Sequence, residues 1–205
     1  MIRPTLKRER ALWAEGRQHV AGLDEVGRGP IAGPVVAAVV VFAPGHRPIR
    51  GLRDSKLLSA PQRARLVVQI RKKALAWAIG AASVGEIERL NIRCASALAM
   101  RRAIARLPFL PDHVLIDGTA LPELGCGHEP LIKGDAHCHT IAAASVIAKE
   151  TRDRLMRLLA ARYPSFGWQE NKGYATADHL AALDRLGPTR HHRYGFIPVA
   201  QLKLF

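Results

Sequence analysis

Four carboxylates stand apart in this chain because of the company they keep. Asp24 and Glu25 interrupt the apolar run HVAGLDEV, Asp117 closes HVLIDG, and Asp135 lies in KGDA, just ahead of a long helical pattern. A carboxylate in an apolar strand is costly unless it is paired or bound to a cation. With 31 Lys and Arg against 17 Asp and Glu, one such acid would ordinarily find an arginine. Four of them, in a chain whose charge should attract phosphates, point to a cation site. The chemistry that needs one is phosphodiester hydrolysis. Two divalent ions about 4 Å apart can activate a water and stabilise the leaving oxygen. Mg²⁺ prefers oxygen ligands and keeps some waters, so a few carboxylates suffice.

Asp24 and Glu25 pose a geometric difficulty, because neighbours on a regular strand point to opposite faces. They share a site only if the backbone twists there or Glu25 reaches around the strand edge. Gly27 and Gly29 follow at once and permit an irregular path. Otherwise one acid serves the site and the other forms a salt bridge.

The elements that must position these groups follow from the pattern. HVAGLDEV and the β-branched PVVAAVVVF read as strands joined through GRGPIAGP, an antiparallel hairpin. SAPQRARLVVQIRKKAL has helical character, with Ser59 as N-cap and Pro61 in the first turn. AWAIGAASV is a third strand. VGEIERLNIRCASALAMRRAIARL then reads as one long helix, HVLIDG and EPLIKGD as short strands, and HTIAAASVIAKETRDRLMRLLAARYP as an Ala-rich helix stopped by Pro164. The apolar first half of that helix should lie deep against the sheet. TADHLAALDRLG is a helix from Thr176 to Gly187, and the tail PTRHHRYGFIPVAQLKLF has no regular period. The expected fold is α/β over residues 1–205: a mixed five-stranded sheet flanked by helices, a C-terminal helical extension and a tail at 197–205.

Composition sets the class. The net charge of +14 favours a polyanionic partner, nucleic acid first; an Arg-rich genome is the bland alternative. Cys94, Cys126 and Cys138 form neither a disulfide framework nor a zinc pair. MIRPTLKRER lacks the apolar run of a signal peptide, and the apolar run from Pro34 to Pro44 is too short to span a bilayer. A soluble, cytoplasmic monomer without membrane contact is expected.

Several segments together resemble the type 2 ribonucleases H, the ribonuclease HII family. GLDEVGRGPIAGPVVAA is similar to the family's opening signature, with Val26 where Ala is usual. RDSKLLS, ERLNIRCASALAM, LIDG, KGDA, IAAASVIAKETRDRLM, NKGYATADHL and HHRYGFIPV follow in family order, so the resemblance covers roughly Val20 to Val199. It implies a ribonuclease H-like fold and cleavage of the RNA strand of RNA–DNA hybrids. It also implies incision of DNA 5′ of an embedded ribonucleotide, leaving a 3′-hydroxyl and a 5′-phosphate. Asp24 and Asp117 would be the central ligands of two Mg²⁺ or Mn²⁺ ions, with Glu25 and Asp135 completing the sites.

By the same resemblance, Gly27, Arg28 and Gly29 read the 2′-hydroxyl, the group that separates RNA from DNA sugar. Glycines allow close backbone approach, and Arg28 adds charge for a phosphate; a plain hairpin turn is the other reading. Tyr174 matches the family tyrosine at the RNA–DNA junction, or else is a core tyrosine at a helix entrance; Ala175 stands where the family has Gly. Lys56 and Lys172, in motif loops, are phosphate-contact candidates. His137, Cys138 and His139 depart from the pattern and are expected at a helix start on the active-site rim, not as zinc ligands. Gly195 replaces the family serine.

The last residues, Gln201, Leu202, Lys203, Leu204 and Phe205, resemble the motif that binds the bacterial sliding clamp; packing on their own domain is the alternative. A non-catalytic nucleic-acid-binding module of the same fold would be favoured by loss of a central carboxylate, and all four are present. A resolvase or integrase would not need the Gly-Arg-Gly and Lys-Gly-Tyr motifs. The related type HIII enzymes carry an extra N-terminal domain that the short segment before Asp24 cannot hold.

Overall fold

The computed structural model describes residues 3–201. Its sheet has five strands: β1 (Val20–Val26), β2 (Val35–Val41), β3 (Ala76–Ala82), β4 (His113–Asp117) and β5 (Glu129–Leu131). Their order is β3-β2-β1-β4-β5. β1 pairs antiparallel with β2 and β2 with β3, whereas β1–β4 and β4–β5 are parallel. The mixed sheet expected from the sequence is therefore present, with its antiparallel group first.

Eight helices accompany it among the described residues: α1 (Lys7–Ala14), α2 (Ala60–Lys73), α3 (Val84–Ile104), α4 (Gly134–His137), α5 (His139–Arg162), α6 (Trp168–Asn171), α7 (Ala177–Leu186) and α8 (Ile197–Ala200). β2 is buried along its whole length, which explains its unbroken β-branched and Ala sequence. Its side chains alternate between two cores. Val35, Ala37, Val39 and Val41 pack toward α3, while Ala38, Val40 and Phe42 pack toward α2 and α5. The small residues of α5 let it lie on β1: a Cβ built on Gly22 would stand 2.5 Å from the Thr140 carbonyl carbon. The first half of α5 is buried, as its sequence predicts.

The segment 84–104 is not one regular helix. Asn91 takes φ 66° and ψ 166°, breaking α3 in two. Its Oδ1 accepts from the N–H groups of Arg93 and Cys94 at 2.9 and 3.0 Å, so it caps the second half. A short polar side chain competes with the helix backbone in this way.

The C-terminal elements form a third cluster around Trp168, Met156, Phe166 and Leu183. Val199 of α8 is buried in it, so 197–200 belongs to the packed body, and Leu202, Leu204 and Phe205 lie outside the described residues. Among the described residues no helix is long and apolar enough to cross a membrane.

Candidate active site

The parallel pairing of β1 with β4 ends at Leu23 and Ile116. Asp24 and Asp117 come next, side by side at the carboxyl ends of the two central strands, where open α/β sheets place their ligands. Asp24 continues the face of Gly22 toward α5 and is buried. Glu25 lies on the α3 face. The sequence difficulty is resolved because both stand at the sheet's end, where β1 gives way to Gly27 with φ +102° and both faces open to the same space.

Asp135 arrives from the other side. Its own N–H is directed at Asp117 Oδ1, at a long 3.4 Å, and Lys56 Nζ stands 3.5 Å from its Oδ2. Arg28 approaches Glu25 Oε1 at 3.3 Å. Burial raises the Asp24 pKa well above the usual carboxylate range, and the charges of Glu25 and Asp117 add to it while Ser145 opposes. Burial likewise raises Glu25, against Arg28; burial, and after it the charge of Asp117, raises Asp135, against Lys56.

Asp24 thus senses each of the other three acids, yet among the described residues no three ligand-type side chains close into a coordination shell. Like-charged carboxylates repel one another, and two of these are paired instead with cations, Glu25 with Arg28 and Asp135 with Lys56. The donor set is nevertheless suited to a hard divalent ion. It is all oxygen, crowded and partly desolvated, with ionised forms that a cation would stabilise.

Asp24, Glu25, Asp117, Gly27, Arg28, Gly29, Lys56 and Tyr174 line one cavity of about 300 Å³. Tyr174 is half exposed, which excludes a core role, and its Cε1 lies 3.5 Å from the point a Gly29 Cβ would occupy. His179 accounts for this placement: its Nδ1 bonds the Tyr174 carbonyl at 2.7 Å, and its Nε2 meets Trp168 Nε1 at 3.0 Å and His192 Nε2 at 3.1 Å. Burial beside His179 pushes His192 down to about 4, so the relay is neutral at physiological pH.

Lys172 is not on the cavity wall. Its amine bonds the Gln169 carbonyl, and its own carbonyl is used internally. Lys149, which the sequence reading passed over, does line the cavity and pairs with Asp153 at 2.7 Å. Also missed were Ser55 and Ser145, hydrogen-bonded at 2.8 Å beneath the site, and the buried Arg152 and Arg193.

The expectation for 137–139 is corrected in part. His137 is exposed, but Cys138 and His139 are interior. Cys138 Sγ lies 3.2 Å from Glu9 Oε1. His139 Nε2 accepts from the Ile49 N–H at 3.2 Å, and burial, helped by His46, lowers its pKa to about 4. Gly195, in place of a serine, gives its N–H to the Glu88 carboxylate at 3.0 Å.

A sheet of this order, with acids at the ends of its central parallel strands, is that of the ribonuclease H fold. The family model for ribonuclease HII matches residues 21–199, and the chain belongs to that family. It is 48% identical to the ribonuclease HII of Synechococcus sp. strain JA-3-3Ab, an alignment covering 99% of this chain and 92% of the relative. The crystal structure of the ribonuclease H2 from Pyrococcus horikoshii OT3 superposes with a TM-score of 0.77 at 24% identity, over 91% of this chain and 97% of the other. The RNase HII in a PCNA:RNase HII complex from Archaeoglobus fulgidus gives 0.72 at 25% identity, over 87% and 95%. The chain is a metal-dependent endoribonuclease acting on RNA–DNA hybrids.

Proposed function

We propose that this enzyme also incises duplex DNA on the 5′ side of an embedded ribonucleotide. The observation that carries the reading is the shared cavity: Asp24, Glu25 and Asp117, the Gly27–Arg28–Gly29 turn and Tyr174 face one space, and Asp135 adjoins it through Asp117 and Lys56. A sugar seated against the turn therefore has its neighbouring phosphate at the carboxylates. Asp24 and Asp117 are the central metal ligands, with Glu25 and Asp135 completing two sites for Mg²⁺ or Mn²⁺. Bound there, two divalent ions favour loss of a proton from the attacking water and stabilise charge on the phosphate and leaving oxygen.

The chain's own groups do the rest. The turn admits the ribose because Gly29 carries no side chain between backbone and cavity. Tyr174 offers a flat apolar face for the next deoxyribose. Arg28 and Lys56, at the mouth, supply positive charge to flanking phosphates. Water adds to phosphorus, the P–O3′ bond breaks, and the O3′ takes up a proton. The products are a 3′-hydroxyl and a 5′-phosphate on the ribonucleotide side.

The test is cleavage of a labelled DNA duplex with a single ribonucleotide, with Mg²⁺ or Mn²⁺, beside an all-DNA control. The wild type nicks 5′ of the ribonucleotide, and Asp117→Asn lowers the rate by at least about 10³-fold, as removal of one member of a catalytic unit does. Equal cutting of all-DNA would overturn the role given to the turn. Cleavage of long hybrids alone would overturn single-ribonucleotide incision. We further propose a cytoplasmic monomer that meets a sliding clamp through its C-terminal motif.

A further inference from the structure

Two arginines are wholly buried without an acid between them: Arg152 and Arg193 are 0% exposed. Their guanidinium groups bind main-chain carbonyls instead. Arg193 donates to Gly27 O at 2.6 Å, Arg28 O at 3.0 Å and Gly33 O at 2.8 and 3.0 Å. Arg152 donates to Pro34 O at 2.9 Å, Ala32 O at 3.0 Å and Lys172 O at 2.9 Å. Both ends of the 27–34 connection and the turn leading into Tyr174 thus hang from the same two side chains. Gly27 is held so closely that a Cβ there would run into Arg152. Burial lowers Arg152 to about 10 and Arg193 to about 9, which leaves both cationic at neutral pH.

The direction of these bonds matters. The described peptides are all trans, and in a trans peptide C=O and N–H point opposite ways. With the carbonyls of Gly27 and Arg28 turned inward to Arg193, the N–H groups of Arg28 and Gly29 turn outward, toward the cavity that those residues line. We infer that Arg193, supported by Arg152, is the positioning residue for ribonucleotide specificity, because it fixes these two peptides with their N–H groups presented to the sugar. The inference rests on the reading of the Gly27–Gly29 turn as the sugar-recognition element. A lysine cannot replace the planar fork that serves several carbonyls at once.

The test compares wild type, Arg193→Lys, Arg152→Lys and the double variant on the single-ribonucleotide duplex, with calorimetric binding of Mn²⁺ alone as a second readout. Arg193→Lys loses about 100-fold in kcat/KM on the ribonucleotide duplex, the scale of a misplacement of roughly 1 Å. Mn²⁺ binding is unchanged, and the double variant loses little more than the worse single, because the two act as one unit. A wild-type rate in Arg193→Lys, or a loss matched by loss of Mn²⁺ binding, overturns the inference. If the wild type itself fails to nick, it is the proposed function that falls.

Should the arginine variants not fold, amide exchange in Asp117→Asn decides. The Arg28 and Gly29 amide protons become protected by the ribonucleotide duplex and not by all-DNA. Equal protection by both overturns the inference.

Discussion

Burial, Glu25 and Asp117 all act against ionisation of Asp24, in that order. Its folded-state pKa lies above its unfolded value, so the folded chain holds the proton more tightly. Stability of the metal-free protein therefore falls as pH rises from the ordinary carboxylate range through the folded value. Asp24→Asn removes this penalty. At neutral pH it should raise the Tm of the metal-free protein by about 2–4 °C, for a gain of about 1 kcal/mol, while Mn²⁺ no longer stabilises it. Scanning calorimetry with and without Mn²⁺ measures both; a lower Tm would mean that Asp24 is already compensated in the folded chain. Activity follows the same sign. The raised values of Asp24, Glu25 and Asp135 place the acid limb of the pH–rate profile above the usual carboxylate range. More Mg²⁺ should move that limb to lower pH, since the ion competes with the proton; a limb indifferent to Mg²⁺ would separate it from the carboxylates.

The acids are held in place by one element contact above others, that of α5 on β1. A Cβ on Gly22 would lie 2.5 Å from the Thr140 carbonyl carbon and 2.6 Å from the Ile141 nitrogen. Backbone atoms cannot rotate aside, so Gly22→Ala should cost about 3 kcal/mol in urea unfolding, the upper end for overpacking. It should also lower activity by lifting Ser145 from beneath Asp24; an unchanged midpoint would show that α5 has slack there. This level was legible in the sequence to the extent that elements are periodic. The β-branched run of β2 and the Ala-rich face of α5 announced a buried sheet and the helix covering it. The break at Asn91 was not legible, because one asparagine inside a strong helical pattern reveals its cap only once its side chain is seen bonding Arg93 and Cys94. The acids were legible as charges out of place. Arg152 and Arg193 were not, since an arginine that serves carbonyls far along the chain looks like any surface arginine, and His139 became interior through Ile49, ninety positions away.

For the whole molecule, net charge and the C-terminal motif bear on how the enzyme finds its substrate. A charge of +14 makes encounter with duplex a counterion-release process, so log affinity for all-DNA should fall linearly with log salt, by about 0.9 for each phosphate neutralised. Affinity flat in salt would dissociate the charge from binding. Attraction of this kind is indifferent to where a ribonucleotide lies, and a clamp tether would add local concentration at newly made DNA. The proposed tether would be separable from catalysis, because the packed body ends just before the motif begins. Val199 is buried and anchors α8 to the body, and Gln201, the first residue of the motif, is exposed directly after it. Removal of 201–205 should therefore leave cleavage of a short ribonucleotide duplex at the wild-type rate while abolishing retention on immobilised bacterial clamp, and Phe205→Ala alone should weaken retention by at least about 10-fold, as loss of an aromatic anchor does. Equal recovery of full-length and truncated protein would leave the motif without a clamp to bind. A fall in cleavage on truncation would place these residues in the catalytic body instead of on a tether.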